Sequence, residues 1–398
     1  MDDMIAEVRC EHDENWSARK YLTSGYLGAG GVRIMATEGD TLHLLVWDDG
    51  LHYLRSDDAG NSWGPKTCLA EASGAQVHPS IHRVDAKLHV IWQDGRDSSG
   101  EPYSWRIYYK CSDDRGRTWG PDVRISSVEA KSFRLSSAVS GSAIHAVWSD
   151  KRHNNIADAF STDGNWEIYY KRSLDRGETW GSDVRLTNNE LVCQRPAIAA
   201  MGNTVFVVWV AWKECGRGTL DAAFADIYYI RSTDGGDTWG PVIRFTETPF
   251  QSTHPQVVAT EPGSFGILWE TGRSYDFETE QWKGPAKLFF KRSVDHGETW
   301  EGEQQLSDMT WATHSFAYQF GTDLHVTWTD ELDGRKAAFY AFSPDRGATW
   351  EAPECLTTDG EWWAGPACAT ANQVIVMMHP DAQTEIYYRQ RPVAVVTI

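Results

Sequence analysis

Five stretches of the chain alternate apolar and polar positions and then stop at a tryptophan: "LHVIW" at 88–92, "IHAVW" at 144–148, "VFVVW" at 205–209, "FGILW" at 265–269 and "LHVTW" at 324–328. A period of two puts successive side chains on opposite faces of an extended segment, so each stretch predicts a strand. Each is preceded by a shorter strand and followed by an aromatic run such as "RIYYKC", "EIYYKR", "DIYYIR" or "KLFFKR". A turn rich in Gly, Asp and Thr comes next, and then a fourth strand such as "VRISS" or "VRLTN".

That turn recurs as "LRSDDAGNSWG", "KCSDDRGRTWG", "KRSLDRGETWG", "IRSTDGGDTWG", "KRSVDHGETWE" and "AFSPDRGATWE", with its tryptophans at 63, 119, 180, 239, 300 and 350. A regular period of this size marks a repeat architecture, and four short antiparallel strands per unit form the blade of a β-propeller. Sets of first, second and third strands number seven, because "ACATANQ", "VIVMM" and "EIYYRQR" form one more near the C-terminus. That last set has no fourth strand after it, whereas "NWSARKYLTS" near the start reads as an orphan fourth strand. The expectation is an all-β, seven-bladed propeller, a single domain over 1–398, in which residues 16–24 complete blade seven and leave no open edge.

Within the recurring turn, S-x-D-x-G-x-T-W, the Asp carboxylate can accept from nearby backbone N–H groups, Gly supplies a positive φ, and Trp packs between blades. Asp58, Asp114, Asp175, Asp234, Asp295 and Asp345 therefore read as structural clamps, and chemistry belongs elsewhere. The motif resembles the Asp box of the sialidases and their relatives, and the resemblance spans nearly the whole chain.

Strands within a blade alternate direction, so loops joining strands two to three, and strand four to the next blade, leave the face opposite the motif. Aligning the starts of the first strands ("VRIMA", "VHPSI", "FRLSS", "QRPAI", "THPQV", "THSFA", "AGPAC") gives a column of Arg33, His78, Arg134, Arg195, His254, His314 and Gly365. First strands line a propeller's axis, so these cation-capable side chains should ring the channel mouth and hold a carboxylate, sulfate or phosphate. A second column is acidic: Asp49, Asp94, Asp150, Glu270 and Asp330 follow each blade's Trp by one or two positions. Loops continuing from it carry Arg96, Arg152, His153 and Arg273. Long insertions in blades two to five break the symmetry, and Trp212, Trp282, Trp311, Trp362 and Trp363 stand near the mouth as candidate sugar-stacking rings.

With 398 residues and 20 Trp the chain can bury a large core, and a formal net charge of -19 disfavours nucleic acid lying across the general surface. An anionic partner has to meet a local basic patch. The sequence shows no apolar run long enough for a membrane span and no secretory signal as written. Its seven Cys, scattered and odd in number, lean toward reduced thiols and a cytoplasmic setting, without excluding export. No cofactor is required by these residues, although "DGRD" could hold a structural Ca²⁺.

Resemblance to sialidases implies hydrolysis of an acidic oligosaccharide or polysaccharide. Arg33, in "VRIM", would match the family's N-terminal arginine motif, with Arg134 and Arg195 as its partners on the substrate carboxylate. Asp49, Asp94 and Asp150 would be candidates for the general acid, and a Tyr with a Glu, such as Tyr275 with Glu270, for the nucleophile. An inverting reaction with Asp or His activating water suits the same residues. The departures are seven blades rather than six, and Met35 in place of the motif's Pro. Seven-bladed relatives include ulvan lyases, which implies an alternative: Arg195 or Arg134 neutralises a uronate while His78, His254 or a Tyr serves as base and acid. A non-catalytic glycan-binding propeller is the third reading.

Overall fold

The computed structural model describes residues 16–24, 32–36, 39–71, 76–98, 105–127, 130–153, 166–188, 191–213, 225–248, 250–276, 281–307, 309–370, 372–380 and 385–392. Its strands form seven antiparallel sheets, six of them four-stranded, while blade five gains Gln281–Lys283 beside its second strand. No helix occurs among the described residues, and none is therefore long and apolar enough to cross a membrane.

The ring closes as the sequence predicts. Blade seven is ordered Trp362–Ala369, Gln373–Pro380, Glu385–Pro392 and then Lys20–Ser24. Lys20 pairs with Tyr388 and Ser24 with Glu385. Trp16 anchors the approach to this strand, buried edge-on against Tyr340 at 5.2 Å between ring centroids.

Cores lie between blades as well as within them. Val147 and Tyr170 of blade three pack with Val207 and Trp209 of blade four, for example. The tryptophans of the second strands, Trp92, Trp148, Trp209, Trp269 and Trp328, are all buried. Fourth strands in blades two to six shrink to two residues, shorter than the sequence suggests, but the next amide carries the pairing on, as Ile125 N–H to Ile107 O at 2.8 Å.

The recurring turn is a clamp. Ser173 Oγ–H donates to Asp175 Oδ1 at 2.7 Å, Thr179 N–H to the same oxygen at 2.8 Å, and Thr179 Oγ1–H to Oδ2 at 2.5 Å. These bonds favour the anion and hold the Asp175 carboxyl down at about 2. Gly177 has φ +86°, and a Cβ there would stand 2.1 Å from Tyr109 Oη of the preceding blade. The neighbouring Trp180 meets Tyr109 edge-on at 5.4 Å, and Trp119, Trp239, Trp300 and Trp350 do the same to Tyr53, Tyr170, Tyr229 and Phe290. So the motif locks each blade to the one before it.

A second repeated device sits deeper. His43, His89, His145 and His325 on second strands each place Nδ1 2.6–2.8 Å from the hydroxyl of Tyr53, Tyr109, Tyr170 or Tyr340 on the third strand.

Candidate functional site

The first strands of blades two to seven enclose an axial cavity of about 480 Å³. Of the predicted ring, His78, Arg134, Arg195, His254 and His314 line it. Every one of them occupies a β-bulge, where the register with the second strand skips, as between Thr253 and Gln256. Their backbones are left-handed, with φ between 51° and 57°. A left-handed non-glycine residue is uncommon, and five in equivalent places turn five long polar side chains to the axis.

Arg33 does not share this column. Val32 pairs with Val46 and Arg33 with Leu45, without a bulge, so Arg33 matches Ile81, which pairs with Val90. The ring position of blade one falls before Val32, outside the described residues, and so does the Arg33 side chain. The side chains of Arg273, Trp212, Trp282 and Tyr275 also lie outside them.

The acidic column splits in two, because residues one and two positions past the Trp face opposite ways. Asp94 and Asp150, two positions past, are fully buried and turn away from the cavity. Asp94 accepts from Trp92 Nε1 at 2.9 Å and from Arg96 Nη2 at 2.6 Å; Asp150 accepts from Trp148 Nε1 at 2.8 Å and from Arg152 Nη2 at 2.7 Å. Arg96 also pairs with Asp122, and Arg152 with Asp183. The guanidinium groups lie over Tyr108 and Tyr169. These are blade-corner ion pairs, and they correct the expectation that Asp94, Asp150, Arg96 and Arg152 serve the mouth. Asp49 stands exposed in a tight turn, away from the cavity. In "DGRD", Asp97 accepts from Tyr108 Oη and Arg124, so the loop's carboxylates are engaged by the chain's own donors. No group of three or more His, Cys, Asp or Glu suited to a metal occurs among the described residues.

Glu270, one position past Trp269, faces the channel side instead. Its side chain is 5% exposed, and Oε2 lies 3.0 Å from His254 Nδ1. Oε1 accepts from Ser315 N–H at 3.4 Å and Ser315 Oγ–H at 3.3 Å, in the next blade. On the far side of the imidazole, Arg195 Nη1–H donates to His254 Nε2. That contact requires a lone pair on Nε2, so the proton of a neutral ring sits on Nδ1 and points at Glu270. Burial lowers the His254 pKa, with Glu270 opposing and Arg195 assisting. Burial pushes the Glu270 carboxyl up, but His254, His314 and Ser315 outweigh it and the net shift is downward. The His254 side chain keeps 36% of its surface open, so it can be reached from the cavity.

Arg195 is the unusual member. Among the described residues no carboxylate lies within ion-pair reach of its guanidinium; Glu270 acts on it only across the His254 ring, and burial lowers its pKa. His314 stacks beside His254 at 6.5 Å, and burial takes its pKa down to about 4. Arg134 lies 5.0 Å from the centre of the Phe133 ring, and His78 meets the same ring edge-on.

Glu270 stands in the sequence as one acid among five; the signal that separates it is the odd count from Trp269. A neutral counterpart exists in blade two, where Gln93 Oε1 accepts from Leu135 N–H at 3.1 Å. Both acceptors serve an amide that directly follows a ring residue. In blades two, four, five and seven that place holds Pro79, Pro196, Pro255 and Pro366, which have no N–H. The fold thus asks for an acceptor opposite Ser315, and a Gln would fill the need; the charge of Glu270 is extra.

Fold and site together define a seven-bladed β-propeller with a cationic, imidazole-lined axial pocket. No family model and no curated protein matches the chain. Solved structures do match: the polysaccharide lyase Uly1 at TM-score 0.59 and 9% identity, covering 97% of this chain and 94% of that one. The Fusarium graminearum GH93 α-L-arabinofuranosidase matches at 0.52 and 13%, covering 79% and 93%. A Hadza microbial sialidase, Hz136, matches at 0.50 and 16%, covering 90% and 74%. The chain is therefore similar in fold to carbohydrate-active propellers that include hydrolases and a lyase.

Proposed function

We propose that the chain cleaves an acidic glycan at the axial mouth by β-elimination from a uronate residue. The observation that carries this reading is Arg195, a guanidinium in the axial cavity with no carboxylate partner among the described residues. A half-buried cation without a counter-ion is costly, and a substrate carboxylate would relieve that cost. In drawing Arg195 onto itself, the substrate would also uncover the Nε2 lone pair of His254.

Arg195 and Arg134 then neutralise the uronate carboxylate, which acidifies the hydrogen on C5 and stabilises the enolate that forms. His254 Nε2 takes that proton, with Glu270 holding Nδ1–H and balancing the imidazolium. The C4–C5 double bond forms as the C4–O bond breaks, and the proton on His254 passes to the departing oxygen. Hydrolysis of a sialidase-type substrate is the second reading, favoured by the same clamp, which would grip a sialic acid equally well. It would call for a Tyr nucleophile activated by a Glu together with a separate acid, and Glu270 is the one carboxylate placed against the ring among the described residues.

Incubation with uronate polysaccharides and with sialosides separates the readings. Elimination gives a conjugated uronate that absorbs in the ultraviolet, and hydrolysis releases sugar without it. Binding with neither product would favour a glycan-binding module. Arg195→Ala should remove product formation while leaving the unfolding transition in place; unchanged turnover in that variant would discard the axial pocket as the site.

A further inference from the structure

The indoles near the mouth are already engaged: Trp363 stacks on His379, meets His314 and Trp311 edge-on and lies under Lys336, while Trp362 packs into the core of blades six and seven. This corrects the expectation that Trp311, Trp362 and Trp363 are open sugar-stacking rings. Polar groups without a task lie deeper, where the first strands run on past the ring. His82 Nε2 is 2.8 Å from Ser137 Oγ, and Ser80 Oγ is 2.5 Å from the same hydroxyl. All three residues line the axial cavity. By register, blades three, four, five and seven hold Ala138, Ala199, Val258 and Ala369 where blade two has His82. Blades two, four, five and six hold Ile81, Ile198, Val257 and Ala317 where blade three has Ser137. The cluster thus breaks an apolar pattern at one blade boundary. Burial takes the His82 pKa down to about 4, so its imidazole is neutral near pH 7, unlike the arginines above it.

Blade five shows what such a place accepts. Gln256 is the first paired residue after the bulge there; its Oε1 accepts from Ala317 N–H at 3.0 Å, and its Nε2 donates to Ser315 O. One side-chain amide therefore serves a backbone donor and a backbone acceptor on the inner edge of blade six. In blade two the same position is Ser80, and the matching groups of blade three are Ser137 N–H and Leu135 C=O. A serine is too short to serve both, and its hydroxyl bonds to that of Ser137 instead. Among the described residues no side chain takes up that pair of backbone groups.

We propose that this place is a subsite for an acyl carbonyl: a substituent of the sugar held by Arg195 turns inward past the ring, sets its carbonyl oxygen on Ser137 N–H, and lies against Ser80 and His82. Ser80 stands two residues beyond His78, about 7 Å along an extended strand, a reach that one substituted sugar covers. An uncharged lining suits an uncharged group whose polar atoms find partners there. N-acyl and O-acyl groups share the carbonyl, and only the N-acyl group also brings a donor for Leu135 C=O. The inference rests on the acidic-glycan reading above.

Calorimetric titration of a His254→Ala background, which does not turn over, with methyl glycosides of a uronate bearing an acetamido group, an O-acetyl ester or neither tests it. The acylated ligands should bind about tenfold more tightly than the bare one. A larger gain for the acetamido ligand points to an N-acyl source, and equal gains to the carbonyl alone. Ser80→Gln supplies in blade two the amide that Gln256 supplies in blade five; it should bring the acylated ligands down to the affinity of the bare one, itself unchanged within about twofold. Ser80→Ala, which leaves the place open, should keep the preference, and so separates a filled subsite from a misfolded blade. Equal affinities for acylated and bare uronates, or a Ser80→Gln loss shared by all three, would overturn the subsite; if Arg195→Ala still weakens them, the acidic-glycan reading stands without it. If acylated neutral glycosides bind as tightly as the uronates and Ser80→Gln weakens them, the acidic-glycan reading fails while the subsite stands. If no glycoside binds, both fall.

Discussion

Glu270 and Gln93 do the same backbone work in two blades, and the comparison turns into an experiment. Glu270→Gln should fold and keep its acceptor for Ser315, while removing the anion that orients and charges His254. Turnover should fall by about 10² to 10³. The pH profile should move as well: a base must be deprotonated to act, so activity is lost as pH falls through the His254 pKa. Without the carboxylate that raises this pKa, the acid limb should shift to lower pH. A structural role alone would leave that limb in place, so rate against pH decides between them.

Among elements, the first strand with its bulge is the unit that builds the site, and the clamping turn is the unit that repeats it. Gly177→Ala would force a Cβ into Tyr109 Oη at 2.1 Å with φ +86°, and should cost about 2 to 4 kcal/mol in a urea unfolding experiment. The open turn at Gly141, where nothing lies within 4 Å of the added Cβ, is the control for backbone strain alone. These elements also show how far the sequence could be read. Alternation and the turn motif announce blades, their number and the closing strand, because each follows from local periodicity. A bulge is one extra residue in one strand, and periodicity does not display it. "VRIM" therefore looks equivalent to "VHPSI", while its pairing with Leu44–Val46 moves Arg33 three places along. Likewise Asp94 and Glu270 differ by one step after a Trp, and that step decides between a buried corner and the channel.

For the molecule as a whole, the buried histidines set its tolerance of acid. His43, His89 and His145 drop from 6.5 to about 4 and His325 to about 3, chiefly through burial. The unfolded chain binds these protons near pH 6.5 and the folded one only near 4 or below, so stability is full above 6.5 and is lost as pH falls between those values. Each of the first three accounts for about 3 kcal/mol. The melting temperature should therefore drop steeply from pH 7 to pH 4.5, and His145→Gln should flatten that slope. A chain lacking residues 16–24 should melt lower and self-associate, since the Glu385–Pro392 strand would be left with a bare edge.

Closure by the N-terminal strand has a consequence for synthesis. The amide of Gln390 donates to Ser17 Oγ, 373 residues away. At ordinary translation speeds the first strand waits roughly 20 to 70 seconds for its partner to be made. Blades two to six can be assembled in order as they leave the ribosome, but the circle is sealed only once the Glu385–Pro392 strand has emerged, by a contact that reaches back 373 residues along the chain.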